Sequence, residues 1–283
     1  MDASGRPPSQ DEQAQFEALQ DKIFADFGFD CRQYKSNYLK RRLAVRMRAL
    51  GLRDYRDYGK VLDRDPSEYP KLKDRITINV TEFFRDPEMY SFLEKEVLPA
   101  LVERKRREAA GRPWTLNAWS AGCSSGEEPY SLGILLAERF RGAAPGEAFR
   151  VLATDIDQAC LARAREGLYD RKSVEGLSAE RGRSFFWPRG EGLAVSEALR
   201  PSLRFQAHDL FSDPAPGKFD LILCRNVMIY FSKDQHQRLF EMFHQALRPL
   251  GCLVIGKTET MLGRMRDFFS CLSSRERVYQ RVD

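Results

Sequence analysis

The stretch Trp119-Ser120-Ala121-Gly122-Cys123-Ser124-Ser125-Gly126-Glu127-Glu128-Pro129-Tyr130-Ser131 decides the fold. Ahead of it, Thr115 to Trp119 reads as a short strand. Behind it, Pro129 to Phe140 places Leu132, Leu135, Leu136 and Arg139 at helical spacing. A strand, a turn of small residues and a helix opening on two glutamates and a proline make the entrance of a nucleotide-type pocket. Gly122 and Gly126 leave room for a ligand to approach the backbone. Glu127 and Glu128 would repel a phosphate placed at that helix N-terminus. A cationic or hydroxyl-rich ligand is therefore expected, not a pyrophosphate.

Outward from this stretch, the chain alternates strand and helix. Candidate strands are 115–119, 149–154, 203–208, 219–224 and 251–256, and candidate helices are 129–140, 157–166 and 234–247. The pattern predicts an α/β domain with an open, mostly parallel, Rossmann-like sheet covered by helices on both faces. Phe268 to Val282 is expected to close it as a hairpin. Residues 183–201 are too long for a simple connection and are read as a small β insert.

The first third reads as all-helical. Phe16, Leu19, Ile23 and Phe27 share one face of Gln13 to Phe27, and Leu39, Leu43, Met47 and Leu50 share one side of Asn37 to Leu50. Gly51 is a stop, and Tyr55 to Leu62 and Tyr69 to Asn79 supply two more helices. The expected organisation is a flexible tail (1–12), a helical N-terminal domain (13–85), a linker helix interrupted at Pro99 (86–112) and a ligand-binding domain (113–283). Gly111-Arg112-Pro113 marks the boundary.

The chain has 283 residues and a net charge of +5. That charge is unevenly spread: Arg32 to Arg56 carries nine Lys or Arg and only Asp54 as an acid. The six cysteines show no paired spacing, and the three histidines offer no zinc signature, so no metal site and reduced thiols are expected. No apolar run approaches the roughly 18 residues of a membrane span, and the polar start lacks a signal-peptide core. A cytoplasmic protein, without membrane insertion, is the expectation.

Ligands of open α/β sheets sit beyond the carboxyl ends of strands where strand order reverses. Ala121 to Glu127 and Cys224 to Tyr230 would face that crevice. Thr154-Asp155-Ile156-Asp157 would put Asp155 on a ribose diol, with Asp157 capping the next helix. His208-Asp209-Leu210 would lie near an adenine. S-adenosylmethionine, a sulfonium nucleoside, fits this description. His236 and His244 are read as packing or surface residues.

Four segments in order, Asn79-x-Thr81-x-Phe83-Phe84-Arg85, Gly126-Glu-Glu-Pro-Tyr-Ser131, Thr154-Asp-Ile-Asp157 and Cys224-Arg-Asn-Val-Met-Ile-Tyr-Phe231, resemble the chemotaxis receptor methyltransferases of the CheR family. The likeness runs from about Phe16 to the C-terminus. It implies a helical domain joined to an S-adenosylmethionine-dependent methyltransferase domain. The implied reaction converts glutamate side chains of methyl-accepting chemotaxis receptors to γ-carboxyl methyl esters, with S-adenosylhomocysteine as the other product, and so sets adaptation in chemotaxis-type signalling. By motif, Asn79, Thr81, Arg85, Glu127, Asp155, Asp209, Leu210, Arg225 and Asn226 would line the cofactor site. Arg85 and Tyr230 would stand beside the transferring methyl group. Lys40, Arg41, Arg42, Arg46 and Arg48 would dock on the acidic helical bundle of the receptor, and the protein would act as a monomer.

Two features depart from the family pattern. Gly256-Lys257-Thr258-Glu259 stands where relatives often read Gly-His-Ser-Glu. The insert Trp187 to Gly192 is short beside members that bind a receptor tether, so weak or no tether binding is expected. Two other readings compete. A nucleic-acid methyltransferase would want a Pro-Pro-aromatic run where Arg225-Asn226-Val227-Met228 stands, and aromatics to stack on bases. A non-catalytic, cofactor-sensing adaptor would have no use for Arg85 and Tyr230.

Overall fold

A computed structural model describes residues 10–261 and 263–282. Of the expected flexible tail, residues 1–9 lie outside the described residues, while Gln10 to Glu12 already belong to the first helix. The chain divides into two compact units. One comprises the residues up to Ile78 together with Tyr230–Gln235, and the other comprises Asn79–Ile229 and His236 onward.

The first unit holds α1 (Gln10–Phe27), α2 (Ser36–Ala49), α3 (Tyr55–Arg64) and α4 (Glu68–Ile76). Phe16, Leu19 and Ile23 of α1 and Leu39, Leu43 and Met47 of α2 are buried, as their spacing predicts, whereas Phe27 and Leu50, expected on the same faces, end their helices exposed. Gly51, at φ 70°, follows α2 with its N–H on the Arg48 carbonyl, and the N–H of Leu52 reaches that of Met47. Two orphan carbonyls are thereby satisfied at a left-handed position that favours glycine. Asp54 caps α3 by accepting from the N–H of Asp57. The detour Tyr230–Gln235 packs within this unit: the N–H of Lys35 donates to the Tyr230 carbonyl (2.9 Å), and Tyr34 pairs with Phe231.

The second unit opens with α5 (Pro87–Phe92), a π turn (Leu93–Val97) and α6 (Leu98–Ala109). The sequence reading interrupts this helix at Pro99. Instead the π turn carries it through, with the Leu98 N–H on the Leu93 carbonyl. Widening the backbone just ahead of the proline accommodates a ring that would otherwise clash with a carbonyl one turn back. Nor does the helix serve as a free linker. Leu93, Val97, Leu98, Leu101 and Val102 lie in the second unit's own core with Leu116 and Ala118.

Strands β1 (Trp114–Ala121), β2 (Glu147–Asp155), β3 (Leu168–Tyr169), β4 (Phe186–Arg189), β5 (Gly192–Val195), β6 (Leu203–Ala207), β7 (Phe219–Cys224), β8 (Leu247–Ile255), β9 (Phe269–Ser273) and β10 (Val278–Arg281) follow. Between them run α7 (Glu127–Arg139), α8 (Gln158–Glu166), the short α9 (Arg171–Val174) and α10 (Ala179–Phe185), and α11 (Lys233–Ala246). The main sheet is ordered β6-β2-β1-β7-β8-β10-β9, parallel except for β10, which runs antiparallel to both neighbours. The chain builds outward from β1 through β2 to β6, then returns to lay β7 on the other side of β1. That reversal is the switch point beyond which ligands bind in such sheets. The terminal hairpin is present as β9 and β10. The insert is larger than expected: β3, well upstream of residue 183, joins β5 and β4 in a three-stranded antiparallel sheet.

One buried carboxylate ties α6 to the middle of the sheet. Asp220 of β7 is fully buried. It accepts from Arg104 Nη2 (3.0 Å) and from the N–H of Asn117 (2.9 Å), and Lys105 Nζ lies 3.5 Å away. Removing one partner from such a set leaves buried charge and a buried donor uncompensated. Asp220→Ala is expected to lower the stability of the second unit by about 3–5 kcal/mol. Urea unfolding followed by the emission of Trp114 and Trp119 reads this as an earlier transition.

Candidate functional site

The carboxyl ends of β1, β2, β6 and β7 converge at the switch point. After β1, the N–H groups of Gly122 and Cys123 both donate to the Thr154 carbonyl of β2 (2.8 and 2.9 Å). The chain then turns through Ser124 (φ 49°) and Gly126 (φ 101°) into α7. The sequence reading assigns the room at the two glycines to a ligand. The structure gives it to the protein: a Cβ on Gly122 would lie 2.5 Å from Val227 Cγ2, and one on Gly126 would lie 2.8 Å from the Tyr169 hydroxyl and 2.9 Å from Ala164 Cβ. These glycines are there for backbone conformation and close packing around the site.

Asp155 ends β2 and is 9 % exposed. Its carboxylate accepts from the N–H of Ser124 (2.7 Å) and of Asp157 (2.9 Å), which fixes the β1 loop against β2. Asp157 caps α8 through the N–H groups of Ala159 and Cys160, as expected. Its second oxygen takes the side-chain amide of Asn79 (2.7 Å), which draws the start of the Asn79–Asp86 strap to the same sheet edge. The β6 end is different. Asp209 accepts from the Phe211 N–H and the Ser212 hydroxyl of its own turn, and Leu210 is half-buried.

Phe83 and Phe84 anchor the strap. The Phe83 ring meets Tyr169 and Phe186 of the insert edge-on, at 4.8 and 5.2 Å between centroids. Phe84, at φ 51°, packs on Tyr90 and donates its N–H to Ser131 of α7. The Arg181 guanidinium of α10 covers the Phe84 ring at 4.5 Å. Thr81 and Arg85 remain partly exposed, and Arg85 folds its Nη1 onto the Val80 carbonyl (3.0 Å).

Arg225, after β7, is 6 % exposed and joins three of these elements. It bonds Asp86 of the strap, the Arg85 carbonyl (2.9 Å) and, at 3.4 Å, Glu128 at the start of α7. Asn226 follows at φ 60°. Phe84, Asp86, Ser124 and Asn226 are all non-glycine residues held left-handed, and all four lie on the loops around this one crevice. Strain of this kind persists only where surrounding contacts over-determine it, and functional sites are its usual location.

Electrostatics sharpen the reading. Glu127, Glu128, Asp155 and Glu259 are all under a tenth exposed. Burial pushes each carboxyl above its ordinary value, against opposing hydrogen bonds: from Ser125 to Glu127, from Ser120 and Arg225 to Glu128, and from backbone N–H groups to Asp155 and Glu259. Arg225 is the buried cation among them. Such a surplus of carboxylates suits a cation, and the buried Ser124 hydroxyl has no hydrogen-bond partner among the described residues. The donor set fits a sulfonium nucleoside: carboxylates for the positive centre and the diol, and side-chain amides of Asn79 and Asn226 for polar groups.

The remaining expected residues belong to the first unit. Tyr230 packs its ring against Tyr38, 5.1 Å between centroids. Arg41 and Arg48 are exposed, and Arg42 lies over the Tyr38 ring. Arg46 is not available as a surface cation, because its guanidinium forks onto buried Glu68, which also takes the Tyr58 hydroxyl. Lys40 is likewise engaged, with Gln13 (2.9 Å) and over the Phe16 ring. His236 and His244 are packing residues, the first on the Met228 carbonyl and the second against Phe268 and Phe269. Sequence reasoning missed Tyr169 and Tyr90, and quoted Ser131 without giving it a role. None belongs to a short pattern that marks it as a partner of the strap.

Comparison with known proteins identifies the family. Residues 79–278 match the family described as CheR methyltransferase, SAM binding domain, and residues 14–77 match its all-alpha domain. A chemotaxis protein methyltransferase of Listeria innocua is 37 % identical over 84 % of this chain and 86 % of its own length. One of Salmonella typhimurium is 34 % identical over 90 % of this chain and 86 % of its own. Chemotaxis protein methyltransferase 2 of Pseudomonas aeruginosa is 34 % identical over 87 % and 86 %. The chain belongs to the CheR family of S-adenosylmethionine-binding methyltransferases.

Proposed function

We propose that this protein methylates glutamate carboxylates of chemotaxis receptors in the cytoplasm, giving γ-glutamyl methyl esters. The observation that carries the reading is the buried, carboxylate-rich crevice at the switch point of a CheR-family domain. In this reading Asn79, Thr81, Arg85, Glu127, Asp155, Asp209, Leu210, Arg225 and Asn226 hold the cofactor. Asp155 takes the ribose diol, and Gly122 shapes the loop over it. S-adenosylmethionine, when bound, supplies a methyl group on a sulfonium sulfur that leaves as a neutral thioether.

The protein's own task is orientation. A glutamate side chain has an ordinary pKa of about 4.3, so the acceptor is already an anion at neutral pH and needs no general base. Alignment of two reactants can supply on the order of 7–11 kcal/mol. The Arg85 guanidinium, bonded among the described residues only to the Val80 carbonyl, holds one acceptor oxygen by a charge-assisted bond while the other attacks. Tyr230 fixes the approach of the acceptor. Docking falls to the exposed cations of α2, chiefly Arg41 and Arg48 with Arg42. Arg46 and Lys40 contribute charge without leaving their internal partners.

Three outcomes follow. Radiolabelled methyl from S-adenosylmethionine is expected on receptor-containing membranes as base-labile label, reduced at least about tenfold by Arg85→Ala, the scale of one lost charge-assisted bond. A label that resists base excludes the ester. Replacing both Arg41 and Arg48 by Glu should slow transfer at low salt, with the gap to wild type narrowing as ionic strength rises. The raised carboxyls set a pH dependence: they take up protons at a higher pH than ordinary carboxylates, and each proton removes negative charge from the crevice. Calorimetry should show S-adenosylmethionine losing affinity faster than uncharged-sulfur S-adenosylhomocysteine as pH falls below neutrality. Parallel pH profiles would show that the carboxylates do not act on the sulfonium.

A further inference from the structure

Glu259 follows β8 on the turn Gly256-Lys257-Thr258-Glu259 and is 3 % exposed. Among the described residues its carboxylate forms no ion pair with an arginine or lysine. It accepts instead from backbone N–H groups: Gly256 at 2.6 Å and Asn226 at 3.2 Å on one oxygen, and Ile229 at 3.2 Å on the other. Two of these donors belong to the loop that leaves β7. That loop carries Arg225 and Asn226, and Asn226 sits at φ 60°, a left-handed conformation that asparagine tolerates better than most residues other than glycine. Gly256 permits the approach, since a Cβ there would lie 2.8 Å from the Asn226 nitrogen and 2.8 Å from the Glu259 carboxylate. One anion on the β8 turn thus gathers inward-pointing amides from both ends of the β7 loop.

We infer that Glu259 is a positioning residue for the cofactor site, an anionic clasp that holds the Arg225–Ile229 loop in the shape that presents Asn226 to S-adenosylmethionine. A buried acid placed only to fill space would be poorly chosen, because its charge is costly to bury and an apolar side chain would fill the same volume. What an apolar side chain cannot do is accept several N–H bonds from a strained loop at once. Both carboxylate oxygens are in use, so glutamine, of equal size, would turn an amide NH₂ toward a backbone donor and lose one side of the clasp. The inference rests on the proposed cofactor role of this loop and adds a residue that acts through the loop.

The test is titration of the full-length protein with S-adenosylhomocysteine, joined to methyl-transfer kinetics on receptor-containing membranes. Glu259→Gln is expected to weaken binding roughly tenfold or more, and to raise KM for S-adenosylmethionine while kcat stays within about threefold. Partial unfolding would act the other way, lowering kcat with the active fraction and leaving KM unchanged. Thr258→Ala, exposed on the same turn, should bind as wild type does. Should Glu259→Gln not fold, Glu259→Asp decides: it keeps the charge and shortens the reach by one methylene, and weakened binding is again expected. Wild-type affinity in a folded Glu259 variant overturns the clasp. Failure of the wild-type protein itself to bind S-adenosylhomocysteine would instead overturn the cofactor reading on which the clasp depends.

Discussion

Everything around the crevice depends on one buried guanidinium. Arg225 stands at the end of β7, beside the strand-order reversal, and reaches the strap through Asp86 and the Arg85 carbonyl and α7 through Glu128. A buried arginine is tolerated only when its charge and its donors are met together, and the partners here come from segments nearly a hundred residues or more away in the chain. In meeting that need they set the position of the strap relative to the sheet. The left-handed residues Phe84, Asp86 and Asn226 lie at or next to these contacts, where the surrounding bonds hold conformations the local chain would not choose.

Around that cation the balance of charge is deliberately unequal. Glu127, Glu128, Asp155 and Glu259 are all buried, and burial raises the carboxyl of each. Backbone amides and hydroxyls satisfy most of their oxygens, and among the described residues only Glu128 pairs with an arginine, Arg225. The arrangement stabilises the loops less than apolar packing would. In the proposed function its use lies in the negative potential it creates for a positively charged ligand, which would give a helix that opens on two glutamates a place in a nucleotide-type fold without a phosphate.

The strap is held by packing as well as by charge. Phe83 enters between rings of the insert, Phe84 lies between Tyr90 and the Arg181 guanidinium, and Arg181 is itself forked onto Glu138 of α7. The insert is therefore part of the wall behind Arg85, not an appendage on a long loop. Gly192 carries the same message, for a Cβ there would meet the Tyr169 carbonyl at 2.6 Å.

The sequence by itself determined the helical and the α/β parts, the order of the main-sheet strands up to β8 with the helices α7, α8 and α11, the terminal hairpin and the family. Those follow from periodicity, turn residues and short motifs, all of which act over a few neighbouring positions. It also picked Asp157 as a cap, because that follows directly from its place at a strand end. What only the tertiary structure decided involves partners distant in the chain. The glycines of the β1 loop face Val227, Tyr169 and Ala164, Arg46 is taken by Glu68, and the helix across Pro99 continues through a π turn and packs on the sheet. No local pattern announces which buried charge will find which partner, since that pairing is fixed by how the sheet stacks segments separated by scores of residues.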